Sequence, residues 1–207
     1  HRPPDGRARA GGIVKPVRVI SGNVAALDRA DVDTDQIIPK QFLKRIERSG
    51  FGEYLFWDWF REPGFPLNRI EFHGAPILAA GRNFGSGSSR EHAPWALQDY
   101  GYEAIVAPSF SDIFRSTCTK IGLLPVELPE DAVRELLDRA PDPATIDLER
   151  LIVTLPSGRE VAFEIEADAR ERLLNGWDEI ALTEKRIGEI ERYEAERERD
   201  GPNTLSV

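Results

Sequence analysis

Between residues 81 and 92 the chain reads Gly81-Arg82-Asn83-Phe84-Gly85-Ser86-Gly87-Ser88-Ser89-Arg90-Glu91-His92. Three glycines let the backbone approach a ligand closely. Successive N–H groups ahead of a helix attract anions. Ser88 and Ser89 add two hydroxyls, and Arg90 adds a guanidinium suited to gripping a carboxylate with two hydrogen bonds. The chemistry these types suit is the binding of a carboxylate with a serine held beside it. A structural reading competes, because Ser88 and Glu91 also fit the S-x-x-E capping box. Pro94 would then fall inside the helix and remove a hydrogen bond. A helix start near Ala93 and Pro94 is therefore expected, with residues 85–92 irregular.

Several familiar sites do not match. No Gly-Lys-Ser/Thr follows the glycines, the Gly-x-Gly-x-x-Gly pattern is missing, and there is no Gly-x-Ser-x-Gly elbow. His73 and His92 are the only internal histidines, so a Ser-His-Asp triad is thinly supplied; His92 is expected to be structural. One cysteine, Cys118, allows no disulfide framework and no self-sufficient iron–sulfur site, and a small, partly buried side chain is expected there.

The elements that must position this loop can be read around it. Residues 76–80 form a short apolar run before the glycines, and residues 94–100 read as the helix after them. Strands follow at 104–107 and 123–126, with a helix over 110–119 between them. Strands alternating with helices indicate an α/β fold with a partly parallel sheet. Upstream, residues 17–27 read as a strand. Residues 31–39, with Asp31, Asp33 and Asp35 at alternate positions, read as a loop, and 40–48 as a short helix. Seven aromatics between Phe51 and Phe65 suggest packing under a long surface loop, or else an apolar substrate wall or subunit contact. Downstream, a helix over 130–139 precedes strands at 146–148, 151–155 and 160–165, with Pro156-Ser157-Gly158 as a hairpin turn. Helices are expected over 167–175, ended by Gly176, and over the charged stretch 183–200.

Composition narrows the class. Of 207 residues, 41% are hydrophobic and 30% charged, as in ordinary globular proteins. A net charge of −9 argues against a general nucleic-acid or anionic-membrane surface. No stretch approaches the roughly 20 apolar residues of a membrane span. Residues 1–12 lack an apolar signal core and are expected to be a disordered tail; the lack of any Met suggests a trimmed start. A cytoplasmic location is expected.

Three segments carry a family resemblance: Asp31-Val32-Asp33-Thr34-Asp35-Gln36-Ile37-Ile38-Pro39-Lys40-Gln41-Phe42-Leu43; residues 83–97, from Asn83-Phe84-Gly85 to Trp95-Ala96-Leu97; and Ala107-Pro108-Ser109-Phe110-Ser111-Asp112-Ile113-Phe114, followed by Gly122-Leu123-Leu124-Pro125-Val126. Together they resemble the small-subunit family of 3-isopropylmalate dehydratase, in the aconitase superfamily, across residues 17–193. The aromatic insertion after Phe51 resembles the bacterial leucine-pathway type. The resemblance implies a β/β/α swivelling domain over residues 13–200, with tails at 1–12 and 201–207. It implies a separate large subunit holding a [4Fe-4S] cluster, no metal bound by this chain, and interconversion of 2- and 3-isopropylmalate through 2-isopropylmaleate. Residue by residue, Ser88 matches the serine that takes a proton from carbon and Arg90 the substrate-carboxylate arginine. Ser89 and neighbouring backbone, including Gly87, would support the same anion. Asp35 matches an aspartate of the active-site cleft. A second basic ligand has three candidates, Lys40, Lys44 and Arg45. Cys118 lies where the family varies and receives no role. Two rival readings remain: a homoaconitase or other alkylmalate dehydratase subunit, and a non-catalytic anion-binding module.

Overall fold

A computed structural model describes residues 15–43 and 49–177, together with 187, 188, 190, 192 and 193. Both proposed tails, Lys44 and Arg45, and most of the charged stretch 183–200 lie outside the described residues.

One seven-stranded sheet organises the chain, in the order β4-β3-β2-β1-β5-β6-β7. Its members are β1 (Val19–Leu27), β2 (Ile77–Ala80), β3 (Ala104–Ala107), β4 (Leu124–Glu127), β5 (Pro143–Asp147), β6 (Ile152–Thr154) and β7 (Glu160–Ala162). β1 is shared by two kinds of pairing. Val19 to Asn23 run antiparallel to β5, whereas Val24 to Leu27 run parallel to β2. β2, β3 and β4 continue in parallel, and β5, β6 and β7 in antiparallel.

The apolar runs of β2 and β3 are buried throughout because both faces of the sheet are covered. Alternate side chains enter two cores. Leu78, Ala80 and Ile105 join one with the aromatic segment, α2 (His92–Tyr100) and α3 (Asp112–Ile121). Ile77, Ala79 and Val106 join the other with α4 (Glu130–Arg139), Ile146, Val153 and Leu173 of α5 (Ala167–Asn175). In the aromatic segment, Phe51, Phe56 and Phe65 are buried in the first core, which supports the packing reading. Among the described residues, no helix is long and apolar enough to cross a membrane.

Three local expectations need correction. Residues 31–39 are not loop throughout: Thr34–Ile37 form a one-turn helix, α1. The cause is a capping box, in which the Asp33 carboxylate accepts from the Gln36 N–H and the Gln36 side chain accepts from the Asp33 N–H. The described part of the helix expected over 40–48 is a 3-10 turn over Lys40–Phe42, and residues 44–48 lie outside the described residues. The helix expected from residue 110 starts at Asp112, because the Ser111 hydroxyl caps it by accepting from the Phe114 N–H. The loop before α2 behaves as expected. α2 starts at His92 with no side-chain cap at Glu91, so Pro94 sits in the first turn, where proline is tolerated.

Candidate active site

The carboxyl-terminal ends of β1, β2 and β3 point to one edge of the sheet, and the segments that leave them meet there. The residues after β1 run beside the glycine loop, with Gly85 and Ser86 donating to the Val32 carbonyl and Asp31 donating to Arg82. On the loop's other flank, Phe84 donates to Ser109 and Ser111 donates back to Phe84. The three motifs, distant in sequence, thus form one layer of crossing backbone. Side chains lock it. Asn83 and Asp31 both hold left-handed backbone, which these two residue types tolerate, and the Asn83 amide donates to Asp31 Oδ1 at 2.9 Å. The Ser111 hydroxyl donates to the Gly85 carbonyl at 2.6 Å. Gly85 has φ +76°, and a Cβ there would lie 2.1 Å from the Phe114 ring, so only glycine fits.

Above this layer the backbone turns out at Gly87, with φ +90°. Gly87, Ser88 and Ser89 are exposed, and their N–H groups have no acceptor among the described residues. They line a shallow hollow with Arg90, Ile113 and Thr117. The hollow lies immediately ahead of α2, where partial positive charge collects.

Arg90 is the buried cation of the site, its side chain only 10% exposed. Its guanidinium pairs with Asp35 Oδ1, and Lys40 Nζ lies 3.5 Å from Asp35 Oδ2. One carboxylate from α1 therefore stands between two cations. Lys40 is 72% exposed, so its pairing is screened by water. The expected residues Ser88, Ser89, Gly87 and Arg90 share the hollow, while Asp35 and Lys40 join it through Arg90. His92 stands behind it, edge-on to Phe51 and Trp95 at 5.1 and 5.0 Å. Desolvation lowers its pKa, and the Arg90 charge lowers it further against the opposing effect of Glu91. His92 is thus favoured as a neutral ring packed among aromatics. Burial pushes the Cys118 thiol well above its usual range, as suits an inert core side chain.

Sequence reasoning missed Thr34, Asn83 and Ser111 as members of the site. All three lie inside the quoted motifs. The signal that could have found them is a short hydroxyl or amide side chain within the same motifs as the glycine loop and its acidic neighbours, the types that bond to nearby backbone.

With this geometry in view, comparison with known proteins gives a class. A family model described as the aconitase C-terminal domain matches residues 15–131, the span that holds β1 to β4 and the whole hollow. Curated relatives narrow it. The 3-isopropylmalate dehydratase small subunit of Rubrobacter xylanophilus is 52% identical over 196 residues, covering 93% of this chain and 100% of that one. That of Bacillus licheniformis is 51% identical over 193 residues, covering 89% and 97%. Among solved structures, the 3-isopropylmalate dehydratase (LeuD) of Methanocaldococcus jannaschii matches with a TM-score of 0.65 at 27% identity, covering 84% of this chain and 99% of that one. The chain belongs to the 3-isopropylmalate dehydratase small-subunit family, and its fold is the swivelling domain of the aconitase superfamily that the motifs implied.

Proposed function

We propose that this chain is the small subunit of a 3-isopropylmalate dehydratase, a cytoplasmic hydro-lyase of leucine biosynthesis that acts with a large subunit. The observation that carries the reading is the exposed Ser88 beside a buried Arg90, itself held by Asp35, in one hollow. Arg90 has five N–H donors. Asp35 engages part of that fork and fixes its direction, and the remaining donors take a substrate carboxylate. The N–H groups of Gly87 and Ser89 support the same anion. Lys40 is the second basic ligand: its exposed ammonium, only loosely paired with Asp35, can turn to the other carboxylate.

The proton next to a carboxylate is weakly acidic, so its removal needs strong electrostatic help. Ser88 Oγ accepts that proton. The C–H electron pair becomes the double bond of 2-isopropylmaleate as the C–O bond breaks, and the hydroxyl would leave as water with a proton from an acid of the large subunit. Addition of water with the two carbons exchanged gives the isomer. A serine serves as base only as an alkoxide, which the loop N–H groups and Arg90 stabilise. Among the described residues no group of three or more His, Cys, Asp or Glu could hold a metal. A [4Fe-4S] cluster in the large subunit would supply the Lewis acid for the departing hydroxyl.

The test is co-expression with the large subunit, anaerobic cluster reconstitution and a screen of alkylmalates. Turnover of isopropylmalate by the pair and none by the isolated chain is expected. Ser88→Ala lowers kcat by roughly 10²–10⁴-fold, the usual contribution of a general base. Full activity in that variant would remove Ser88 from the role.

A further inference from the structure

Thr34 is 3% exposed, yet all its polar atoms are in use. Its carbonyl accepts from Ile38 N–H at 3.1 Å to close the single turn of α1. Its N–H donates to the Ser86 carbonyl at 2.9 Å, and its hydroxyl donates to the Ser88 carbonyl at 2.9 Å, across 54 residues of sequence. The two gripped carbonyls flank Gly87, where the loop reverses with positive φ. The next residue, Asp35, pairs with Arg90. One turn of helix therefore holds the base and the cation separately, Ser88 through Thr34 and Arg90 through Asp35.

From this we propose that Thr34 is a positioning residue for Ser88: its buried hydroxyl fixes the Ser88 peptide, and with it the direction of Oγ and of the loop N–H groups that stabilise an alkoxide. The inference rests on Ser88 being the base. The physical need is clear. Ser88 itself is exposed and has no other anchor among the described residues, because neither its N–H nor its hydroxyl has a partner there. A side chain able to sample several directions is a poor base, and displacement of a reacting group by about 1 Å can cost about a hundredfold in rate. Thr34 removes that freedom without touching substrate.

The test uses the reconstituted two-subunit enzyme and four variants. Thr34→Val keeps the shape and removes the hydroxyl, Thr34→Ser keeps the hydroxyl, Thr34→Ala guards against a packing artefact, and Ser88→Ala reports on the base. Thr34→Val and Thr34→Ala should lower kcat roughly ten- to a hundredfold and raise KM by less, because Arg90, the main carboxylate ligand, remains held by Asp35. The acidic, ascending limb of the pH–kcat profile should move to higher pH, as a loosened loop stabilises the alkoxide less. Thr34→Ser should restore both. Wild-type kcat in Thr34→Val alongside an inactive Ser88→Ala overturns the Thr34 assignment and leaves the base reading intact. Loss of kcat in Thr34→Ser equal to that in Thr34→Val also overturns it, by showing that a retained hydroxyl is not enough to hold Ser88. Should Val and Ala variants fail to fold, the Ser variant alone decides. An active Ser88→Ala would instead defeat the reading of Ser88 itself.

Discussion

The two halves of the sheet that meet on β1 distribute their residues differently. On the parallel side, β1, β2 and β3 end at one edge, so the segments after residues 27, 80 and 107 come together there although they are far apart in sequence. All the site residues lie on those segments or on the helices they enter. On the antiparallel side, β5, β6 and β7 are joined by short turns that connect only neighbours. Those turns carry exposed pairs such as Arg150–Glu160 and Arg159–Asp131, and none of their residues reaches the hollow. Parallel connectivity must cross the sheet between strands, and the crossing gathers distant loops at the carboxyl ends. A hairpin cannot gather anything but itself. The antiparallel half supplies core, through Ile146, Val153 and Leu155.

The sharpest way to break this division is Gly85→Ala. The new methyl would press into the Phe114 ring at the centre of the crossing layer. Overpacking together with the unfavourable φ should cost about 2–4 kcal/mol, and displacement of the loop should lower kcat in the folded pair by roughly a hundredfold. Thermal melts and assays on the same preparation separate the two effects. The matching change in the other half is Ile146→Ala, a truncation of a side chain only 1% exposed. It should cost a similar about 2–5 kcal/mol in denaturant unfolding and leave kcat per folded molecule unchanged. A large fall in kcat there, with the assembly still folded, would show that the antiparallel half shapes the site as well.

The same contrast explains what could be read from the sequence. β2 and β3 were legible because a buried parallel strand is a continuous apolar run, and β5 to β7 because turn residues separate them. The site's residue types were legible as glycines, serines and an arginine in one loop. Its wiring was not. The pairing of Arg90 with Asp35 and of Thr34 with Ser88 joins residues brought together only by the crossover, and no local periodicity encodes it. α1 was missed for a different reason. Three acids at alternate positions look like loop, whereas each carboxylate serves a different partner. Asp31 receives Asn83, Asp33 caps the turn and Asp35 pairs with Arg90. The Asp33-x-x-Gln36 spacing was the one local clue to the helix.

A smaller effect should come from His92, at the junction of the loop and α2. Its folded pKa lies below the usual 6.5, chiefly because of desolvation. The neutral ring is favoured by folding, so this contribution is complete above pH 6.5 and is lost as pH falls through the folded pKa. Melting temperature should therefore decline on acidification below that point, and less so in His92→Phe. An equal decline in both would assign the acid sensitivity to other groups. NMR titration of the ring gives the pKa directly.

The smallest effect should come from Asp28→Asn, and it tests whether position at the carboxyl-terminal edge is enough to confer function. Asp28 follows β1 directly but turns to the opposite face, where Arg134 of α4 grips it with two hydrogen bonds of 2.7 and 3.1 Å. Those bonds lower the Asp28 pKa below 3.8 against the opposing effect of burial. The stabilisation is thus present above pH 3.8 and is lost as pH falls through the depressed value. Both partners are more than half exposed, so the substitution should cost under about 1 kcal/mol at neutral pH, and less in high salt. Comparing the melts of the two proteins at low and high ionic strength measures this. Activity of the reconstituted pair should stay at the wild-type level. A fall in kcat would mean that the edge acts as one electrostatic unit across both faces; no change confines the chemistry to the face where α1 meets the glycine loop.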